Sequence, residues 1–356
     1  MLNERTERDL ARGEDTPIES VEAAAVEREG FSLARALRNP RTLVSFALAV
    51  AIIVFVTRGL NIDLAATWTY MRQANPWLYL LGFVVFYMTF PMRALRWRLL
   101  LRNAEVPIEE GRTTWASLPA LMEYIGLSWF ANCIMPAKLG DAYRGYLLKR
   151  NGGVSFSATL GTIFAERLLD MLCLFTFLVL SAWLVFGTQL PPETNLIFGS
   201  GLVLALLVIA GLAGMRFFSP LIRRIVPQRF QEVYIGFEQA ALRSFRPAIL
   251  PQLIGFTAVI WLLEGFRLFF VIEALNVSGL ALPAIIFVAL ASSLLTALPL
   301  TPGGLAVVEG TVTVVLTTFF AIDKNLASAI TLLDRTINFW SIVVFGLVLY
   351  IFSKRK

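Results

Sequence analysis

The chain has 356 residues, of which 57% are hydrophobic and only 16% charged, and its net charge is +6. Because soluble domains carry roughly 25% charged residues, this composition excludes an ordinary soluble protein and predicts an all-α polytopic membrane protein. Histidine is absent, and Cys133 and Cys173 occur in no CxxC or Cys/His cluster, so we expect no metal site, disulfide framework or cofactor. The scattered basic residues favour a lipid surface over nucleic acid as the partner.

The chain opens with a polar tail over residues 1–39, and its last part, 31–41, has the mixed apolar and basic pattern of an interfacial helix. Six apolar segments then approach the roughly 20 residues that cross a bilayer. These predicted spans are 42–60, 77–97, 155–186, 195–215, 248–275 and 327–352.

Two further apolar segments, 113–150 and 282–322, are interrupted by proline and glycine. The first break lies around Pro136 and Gly140, and the second around Pro302 and the two glycines that follow it. The half-helices on either side are shorter than a span, which favours two re-entrant helical hairpins. The alternative is that each segment forms two ordinary spans of a conventional helix bundle.

Lysine and arginine concentrate on the cytoplasmic side of membrane proteins, and this bias predicts the topology. Both termini are expected in the cytoplasm, both ends of 113–150 on the cytoplasmic side, and both ends of 282–322 outside. The order of spans and hairpin therefore recurs with reversed orientation, which predicts two inverted-topology repeats. The predicted organisation is a tail at 1–39, repeat 1 at 40–186, an outer loop, connecting span and basic cytoplasmic segment at 187–247, the rest of repeat 2 at 248–352, and a basic tail at 353–356.

Charged residues inside the apolar segments mark the candidate site, because each costs roughly 2.5–3.5 kcal/mol at the bilayer centre. Asp170 lies three residues after Arg167 and four after Glu166, so each of them can share a helix face with it. Glu264 with Arg267, and Asp334 with Arg335, form two further clusters. Ion pairs that only neutralise the helix bundle remain the alternative, above all for Glu264 and Arg267.

The two breaks have a chemical use of their own. A half-helix that starts after a break presents free N–H groups and the positive end of its dipole, which suits a phosphate. Lys138 and Arg144 add positive charge at the first break. Gly303 and Gly304 allow the backbone to approach a ligand closely at the second.

Five motifs, and their order along the chain, resemble the lysylphosphatidylglycerol synthase transmembrane region family. Its members are also called flippase-like domain proteins. The motifs are Arg93-x-x-Arg96-Trp97-Arg98, Asn132-x-x-x-Pro136-x-x-x-Gly140-Asp141-x-x-Arg144, Glu166-Arg167-x-x-Asp170, Pro299-x-Thr301-Pro302-Gly303-Gly304-x-x-x-x-Glu309, and a late Arg335. The resemblance covers residues 40–352. One departure is Ala306, which stands where the family's pattern leads us to expect glycine.

In the multidomain bacterial members, this region is thought to move an aminoacylated phosphatidylglycerol between leaflets, and a separate soluble domain makes that lipid. The resemblance implies a stand-alone member without the synthase domain, since the sequence ends at Lys356. We therefore expect a non-enzymatic flippase-like protein of the cytoplasmic membrane, whose partner is a lipid with an anionic or zwitterionic headgroup. A secondary transporter of a small anion and a membrane enzyme acting on a polyprenyl-linked lipid remain alternatives, and self-association is left open.

The candidate substrate-binding residues share either a charge inside an apolar segment or a place at a break. They are Arg93, Asn132, Lys138, Asp141, Arg144, Glu166, Arg167, Asp170, Glu264, Arg267, Thr301, Gly303, Gly304, Glu309, Asp334 and Arg335.

Overall fold

The computed structural model describes residues 40–106, 114–135, 139–187, 194–297 and 301–355, and all regular structure in these ranges is helical. The predicted interfacial segment at 31–41, apart from its last two residues, lies outside the described residues, as does Lys138.

The first half of the described chain contains six α-helices. They are α1 (Pro40–Gly59), α2 (Leu64–Gln73), α3 (Pro76–Asn103), α4 (Leu118–Ile134), α5 (Leu139–Gly152) and α6 (Phe156–Phe186).

The second half begins with α7 and ends in a long helix with a π-helical segment in its middle. Its elements are α7 (Thr194–Phe217), α8 (Ser219–Ile225), α9 (Gln231–Arg243), α10 (Leu250–Ala274), α11 (Leu282–Ala297), α12 (Val307–Phe320), α13 (Lys324–Arg335), the π segment (Thr336–Trp340) and α14 (Ser341–Phe352).

Five helices of the described chain are long and apolar enough to cross a membrane, and a sixth span results if α7 and α8, bent by 86°, count as one. The five are α1, α3, α6, α10 and the composite helix from α13 to α14. Their outer faces carry exposed apolar side chains such as Phe55 and Phe352, which suit a lipid environment. The chain is therefore an all-α polytopic membrane protein, and the six predicted spans coincide with these helices.

Local sequence explains where several helices begin. Asp63, Asn75 and Asp323 each accept two backbone N–H groups at the starts of α2, α3 and α13. Ser117 and Ser155 each accept one at the starts of α4 and α6. Short polar side chains at this position satisfy donors that the first helical turn leaves free.

Two regions that the sequence placed between spans are helical. Residues 61–76, between the first two predicted spans, contain α2, and the segment predicted to be basic and cytoplasmic contains α8 and α9. Helix α2 packs against α13, and α9 packs against α6. Both helices are short and amphipathic, so a search for long apolar stretches does not detect them.

The helix contacts of the first half recur in the second. Helices α3 and α10 pack along each other at the centre of the molecule. Helix α3 also contacts α4 and α6, as α10 contacts α11 and α13. The last helix of each half crosses to the other half, since α6 packs on α11 and α14 packs on α4.

Both interrupted segments form a pair of short helices. Helices α4, α5, α11 and α12 have 17, 14, 16 and 14 residues, which is below the roughly 20 needed to cross a bilayer. The second break turns through three residues with positive φ, namely Gly303 at 57°, Gly304 at 72° and Ala306 at 71°. The positive φ of Ala306 is a physical reason to expect glycine at this position, because such a backbone conformation costs an alanine roughly 1–2 kcal/mol.

Candidate functional site

A buried arginine holds helices α3, α6 and α10 together. The guanidinium of Arg96 is fully buried and donates two hydrogen bonds to the carboxylate of Asp170, at 2.6 and 3.2 Å. It also lies 3.1 Å from Glu166 and donates to the hydroxyl of Thr257 at 2.9 Å. The two carboxylates of the predicted α6 cluster, Glu166 and Asp170, are therefore both bound by an arginine of α3.

Arg144, on α5, reaches the same cluster from the other side. Its guanidinium donates to Glu166 at 2.7 Å and lies 4.4 Å from the ring centroid of Trp97. Arg144 is only 1% exposed. Because one carboxylate and one indole face already occupy this guanidinium, it braces α5 against α3 and α6.

At the first break, the start of α5 is bound to α4 and α6. The side-chain carbonyl of Asn132 accepts the backbone N–H of Gly140 at 2.8 Å. Two parallel hydrogen bonds of 2.8 and 2.9 Å join Arg167 to Asp141. A Cβ at Gly140 would lie 2.1 Å from the carbonyl oxygen of Ser128, so only glycine allows α5 to approach α4 this closely.

The two central helices are joined by a chain of opposite charges. Arg93 of α3 donates to Glu264 of α10 at 3.1 Å. Glu264 also pairs with Arg267, which in turn donates to Asp334 at 2.7 and 3.2 Å. All four residues are at most 5% exposed, so these pairs form in a low-dielectric interior.

The second break is held by Arg335. Its guanidinium donates to Glu309 at 2.7 Å, to the backbone carbonyl of Gly303 at 2.9 Å and to the side-chain carbonyl of Asn338 at 3.2 Å. Asn338 lies in the π segment and donates in turn to Asp334. The π segment therefore places a polar side chain beside the break, and such segments are frequent at functional sites.

The two breaks share one arrangement. Asp141 pairs with an arginine 26 residues later, Arg167, and Glu309 pairs with an arginine 26 residues later, Arg335. Both acids lie in the first turn of the half-helix that follows a break. The arginines differ in access, because the side chain of Arg167 is 29% exposed and that of Arg335 only 4%.

A cavity of about 200 Å³ lies between these clusters, lined by residues of α3, α4, α6, α10, α11, the second break, α13 and the π segment. Four arginines line it, Arg93, Arg167, Arg267 and Arg335, against two carboxylates among the described residues. The closest acid partners of Arg167 and Arg335, Asp141 and Glu309, do not line it. The lining therefore has two more arginines than carboxylates, and Asp141 and Glu309, directly behind Arg167 and Arg335, balance these two charges.

The sixteen candidate residues fall into three groups by position. Lining the cavity are Arg93, Asn132, Arg167, Asp170, Glu264, Arg267, Thr301, Gly303 and Arg335. Adjacent to it, and bonded to one of these residues or to Arg96, are Asp141, Glu166, Gly304, Glu309 and Asp334, and Arg144 is bonded to Glu166. Lys138 lies outside the described residues.

Sequence reasoning missed the aromatic walls and the importance of Arg96. Trp129 and Trp261 line the cavity, and the guanidinium of Arg93 lies 4.7 Å from the ring centroid of Trp129. A signal was present, because Trp129 lies three residues before Asn132 and Trp261 three before Glu264. Residues at this spacing share a helix face with the polar residue.

Comparison with known proteins gives one family over most of the chain. Residues 42–346 match the family described as lysylphosphatidylglycerol synthase TM region. A UPF0104 membrane protein of Methanocaldococcus jannaschii is 36% identical over 227 residues, which is 64% of this chain and 95% of that protein. A UPF0104 membrane protein of Methanothermobacter thermautotrophicus is 28% identical over 347 residues, covering 89% of this chain and 95% of that protein.

A more distant relative has a different name. The glycosyltransferase AglD of Haloferax volcanii is 25% identical over 132 residues, which is 37% of this chain and 20% of that protein. The similarity therefore extends to only a small part of that glycosyltransferase.

Proposed function

We propose, because the chain belongs to the lysylphosphatidylglycerol synthase TM region family, that it moves a polar phospho- or glycolipid between the leaflets of the cytoplasmic membrane. The observation that carries this proposal is the cavity of about 200 Å³ lined by four arginine side chains and two carboxylates. Arginine side chains that line a cavity among membrane spans can exchange a protein carboxylate for an anionic group that the bilayer interior otherwise excludes.

The size of the cavity favours a headgroup over a whole lipid. Sites for drug-sized ligands have roughly 300–1,000 Å³, and the cavity here is smaller. A phosphate with a small polar substituent fits this space, whereas two acyl chains do not. The chains would remain in the bilayer while the headgroup passes between the helices.

The helix contacts that recur in the two halves support a mechanism in which the two inverted repeats move relative to each other. In many transporters, two halves related in this way rock against each other around a site near the bilayer midplane. Arg167 and Arg335 are the corresponding arginines at the two breaks, and each is paired with an acid 26 residues earlier. We infer that the more exposed one, Arg167, meets the headgroup first and exchanges Asp141 for the lipid phosphate.

The partial similarity to AglD supports including glycolipids in the substrate class. It does not by itself favour an enzyme, because only 20% of that glycosyltransferase is matched.

The proposal predicts lipid translocation by the purified protein in liposomes. Vesicles would carry a trace of NBD-labelled phosphatidylglycerol, phosphatidylethanolamine or glucosylceramide, and external dithionite would bleach the label in the outer leaflet only. We expect the wild type to expose the protected inner-leaflet label of at least one of these lipids. The double variant Arg167→Gln/Asp141→Asn, which removes a pair without leaving a lone charge, should slow this at least roughly tenfold.

The matched control is Arg243→Met, because Arg243 pairs with Glu105 at the protein surface, away from the cavity. This variant should translocate the label at the wild-type rate. If wild-type vesicles bleach no further than protein-free vesicles for all three lipids, the proposed translocation is wrong.

A further inference from the structure

The junction between α7 and α8 leaves four large apolar side chains uncovered. They are Phe217, Phe218, Leu221 and Ile225, and each is between 54% and 73% exposed. Phe218, Leu221 and Ile225 follow one another at spacings of three and four residues, so they lie on one side of α8 and of the residue that precedes it. We call these four side chains the elbow face.

The opposite side of α8 is held by the protein. Arg223 donates to the carboxylate of Glu238, on α9, from both Nε and Nη2 at 3.1 Å. The side-chain amide of Gln231, also on α9, donates to the backbone carbonyls of Arg223 and Val226 at 3.0 and 3.4 Å. Arg223 lies two residues after Leu221 and therefore points away from it. Since α9 in turn packs on α6, the elbow face is held in a fixed direction.

The bend between the two helices places α8 at the surface of the bilayer. Helix α7 has 24 residues, above the roughly 20 that cross a bilayer, and α8 is bent by 86° relative to it. A helix bent this sharply at the end of a span runs nearly parallel to the membrane surface. Arg216 just before the bend, and Arg223 and Arg224 after it, exclude a deeper position because arginine is costly in the hydrocarbon core.

Two exposed arginines border the elbow face without a carboxylate partner. They are Arg216 and Arg224, and neither forms an ion pair with any residue that the structure describes. Arg216 directly precedes Phe217, and Arg224 lies three residues after Leu221. Apolar side chains bordered by unbalanced basic residues are typical of a helix that lies in the interface of a bilayer with anionic lipids.

We propose that the elbow face is a membrane-docking surface for anionic phospholipids. Its apolar side chains enter the boundary between headgroups and acyl chains, while Arg216 and Arg224 bind the negatively charged headgroups of the same leaflet. None of these residues lines the cavity. The inference therefore goes beyond the proposed function and does not depend on lipid translocation.

Brominated lipids test this surface directly, because bromine quenches a fluorophore only at close contact. A bimane label is placed at Leu221→Cys in a chain that also carries Cys133→Ser and Cys173→Ser, and the protein is reconstituted into phosphatidylcholine nanodiscs. A small fixed share of the lipid is brominated on its acyl chains, as either phosphatidylglycerol or phosphatidylcholine. We expect both to quench the label and phosphatidylglycerol to bind at least roughly fivefold more tightly, the contribution of one arginine near an anionic lipid surface.

The variant Arg216→Gln/Arg224→Gln should bring this preference close to one while the label stays quenched, because the apolar contacts remain. Arg216→Lys/Arg224→Lys keeps both charges and should keep most of the preference. The matched control is Arg243→Gln/Arg246→Gln, which removes the same net charge from exposed arginines that already pair with Glu105. This control should leave the preference unchanged.

Two results would overturn the proposal. Weak quenching by both brominated lipids would show that the elbow face lies outside the bilayer, and a dimer of the chain in the nanodiscs would then identify a second copy as its partner. Equal quenching by the two lipids, with Arg216 and Arg224 in place, would show that the surface does not select anionic headgroups. Loss of the preference in Arg243→Gln/Arg246→Gln as well would assign it to the overall charge of the protein instead of the elbow face.

Discussion

Replacing Arg96 with methionine should prevent the accumulation of folded protein in the membrane. The guanidinium of Arg96 is the closest cation to Asp170, at 2.6 Å, and the next, that of Arg167, lies at 3.7 Å. Methionine leaves Asp170 buried without a bidentate partner and removes one of the two cations at Glu166. Removing one partner of a buried ion pair costs about 3–5 kcal/mol, a large part of the stability of a typical native protein.

The measurement is the yield of monodisperse protein by size-exclusion chromatography, followed by thermal unfolding in detergent. Arg96→Lys should give an intermediate result, because an ammonium group does not match a carboxylate with two parallel hydrogen bonds. Arg243→Met is the matched control, since it breaks an exposed pair worth about 0–1 kcal/mol. A wild-type yield and unfolding temperature for Arg96→Met would show that the α3–α6 ion pairs do not hold the bundle together.

Exchanging the charges of Arg93 and Glu264 should restore part of the stability that either single reversal removes; the pair of Glu264 with Arg267 is lost in the exchange. Glu264→Arg alone brings three guanidinium groups together around Arg93 and Arg267, and Arg93→Glu alone sets two carboxylates side by side. Like charges in a buried site repel strongly. The double variant Arg93→Glu/Glu264→Arg again places opposite charges on α3 and α10.

A structural reason makes this exchange tolerable. Arg93 precedes Arg96 by three residues, and Glu264 precedes Arg267 by three, so both residues occupy the same place relative to the arginine that anchors each central helix. The double variant therefore gives α3 the acid-arginine pattern that α10 now has, and α10 the pattern of α3.

Unfolding temperatures of the wild type, both single variants and the double variant form a double-mutant cycle. We expect each single variant to lose several kcal/mol and the pair to show a coupling energy of about 1–3 kcal/mol. Additive losses in the double variant would mean that the ion pair across the two central helices contributes no direct coupling.

The sequence predicted the helical class, the main spans and the charged clusters, because these depend on local features. A long apolar run is a span whatever surrounds it, and Glu264 with Arg267 share a helix face by their spacing alone. The family resemblance, too, is confirmed by the match over residues 42–346.

The side-chain pairs between helices could not be predicted from the sequence, because tertiary packing decides which residues far apart along the chain meet. Arg96 entered the sequence analysis only as part of a family motif, yet it is fully buried and binds residues of both α6 and α10. The sequence could not show either that Arg144, a candidate substrate-binding residue, contacts Glu166 and Trp97. The re-entrant path of the two hairpins and the substrate-binding roles remain predictions.

The most direct test of a headgroup site in the cavity is native mass spectrometry of the purified protein, combined with lipidomics of what it retains. The comparison is between the wild type and the double variant Arg167→Gln/Asp141→Asn. We expect the wild type to retain lipids of one phosphate-bearing headgroup class, enriched over the bulk membrane, and the variant to lose that enrichment. The same bulk lipids in both preparations would contradict the headgroup site.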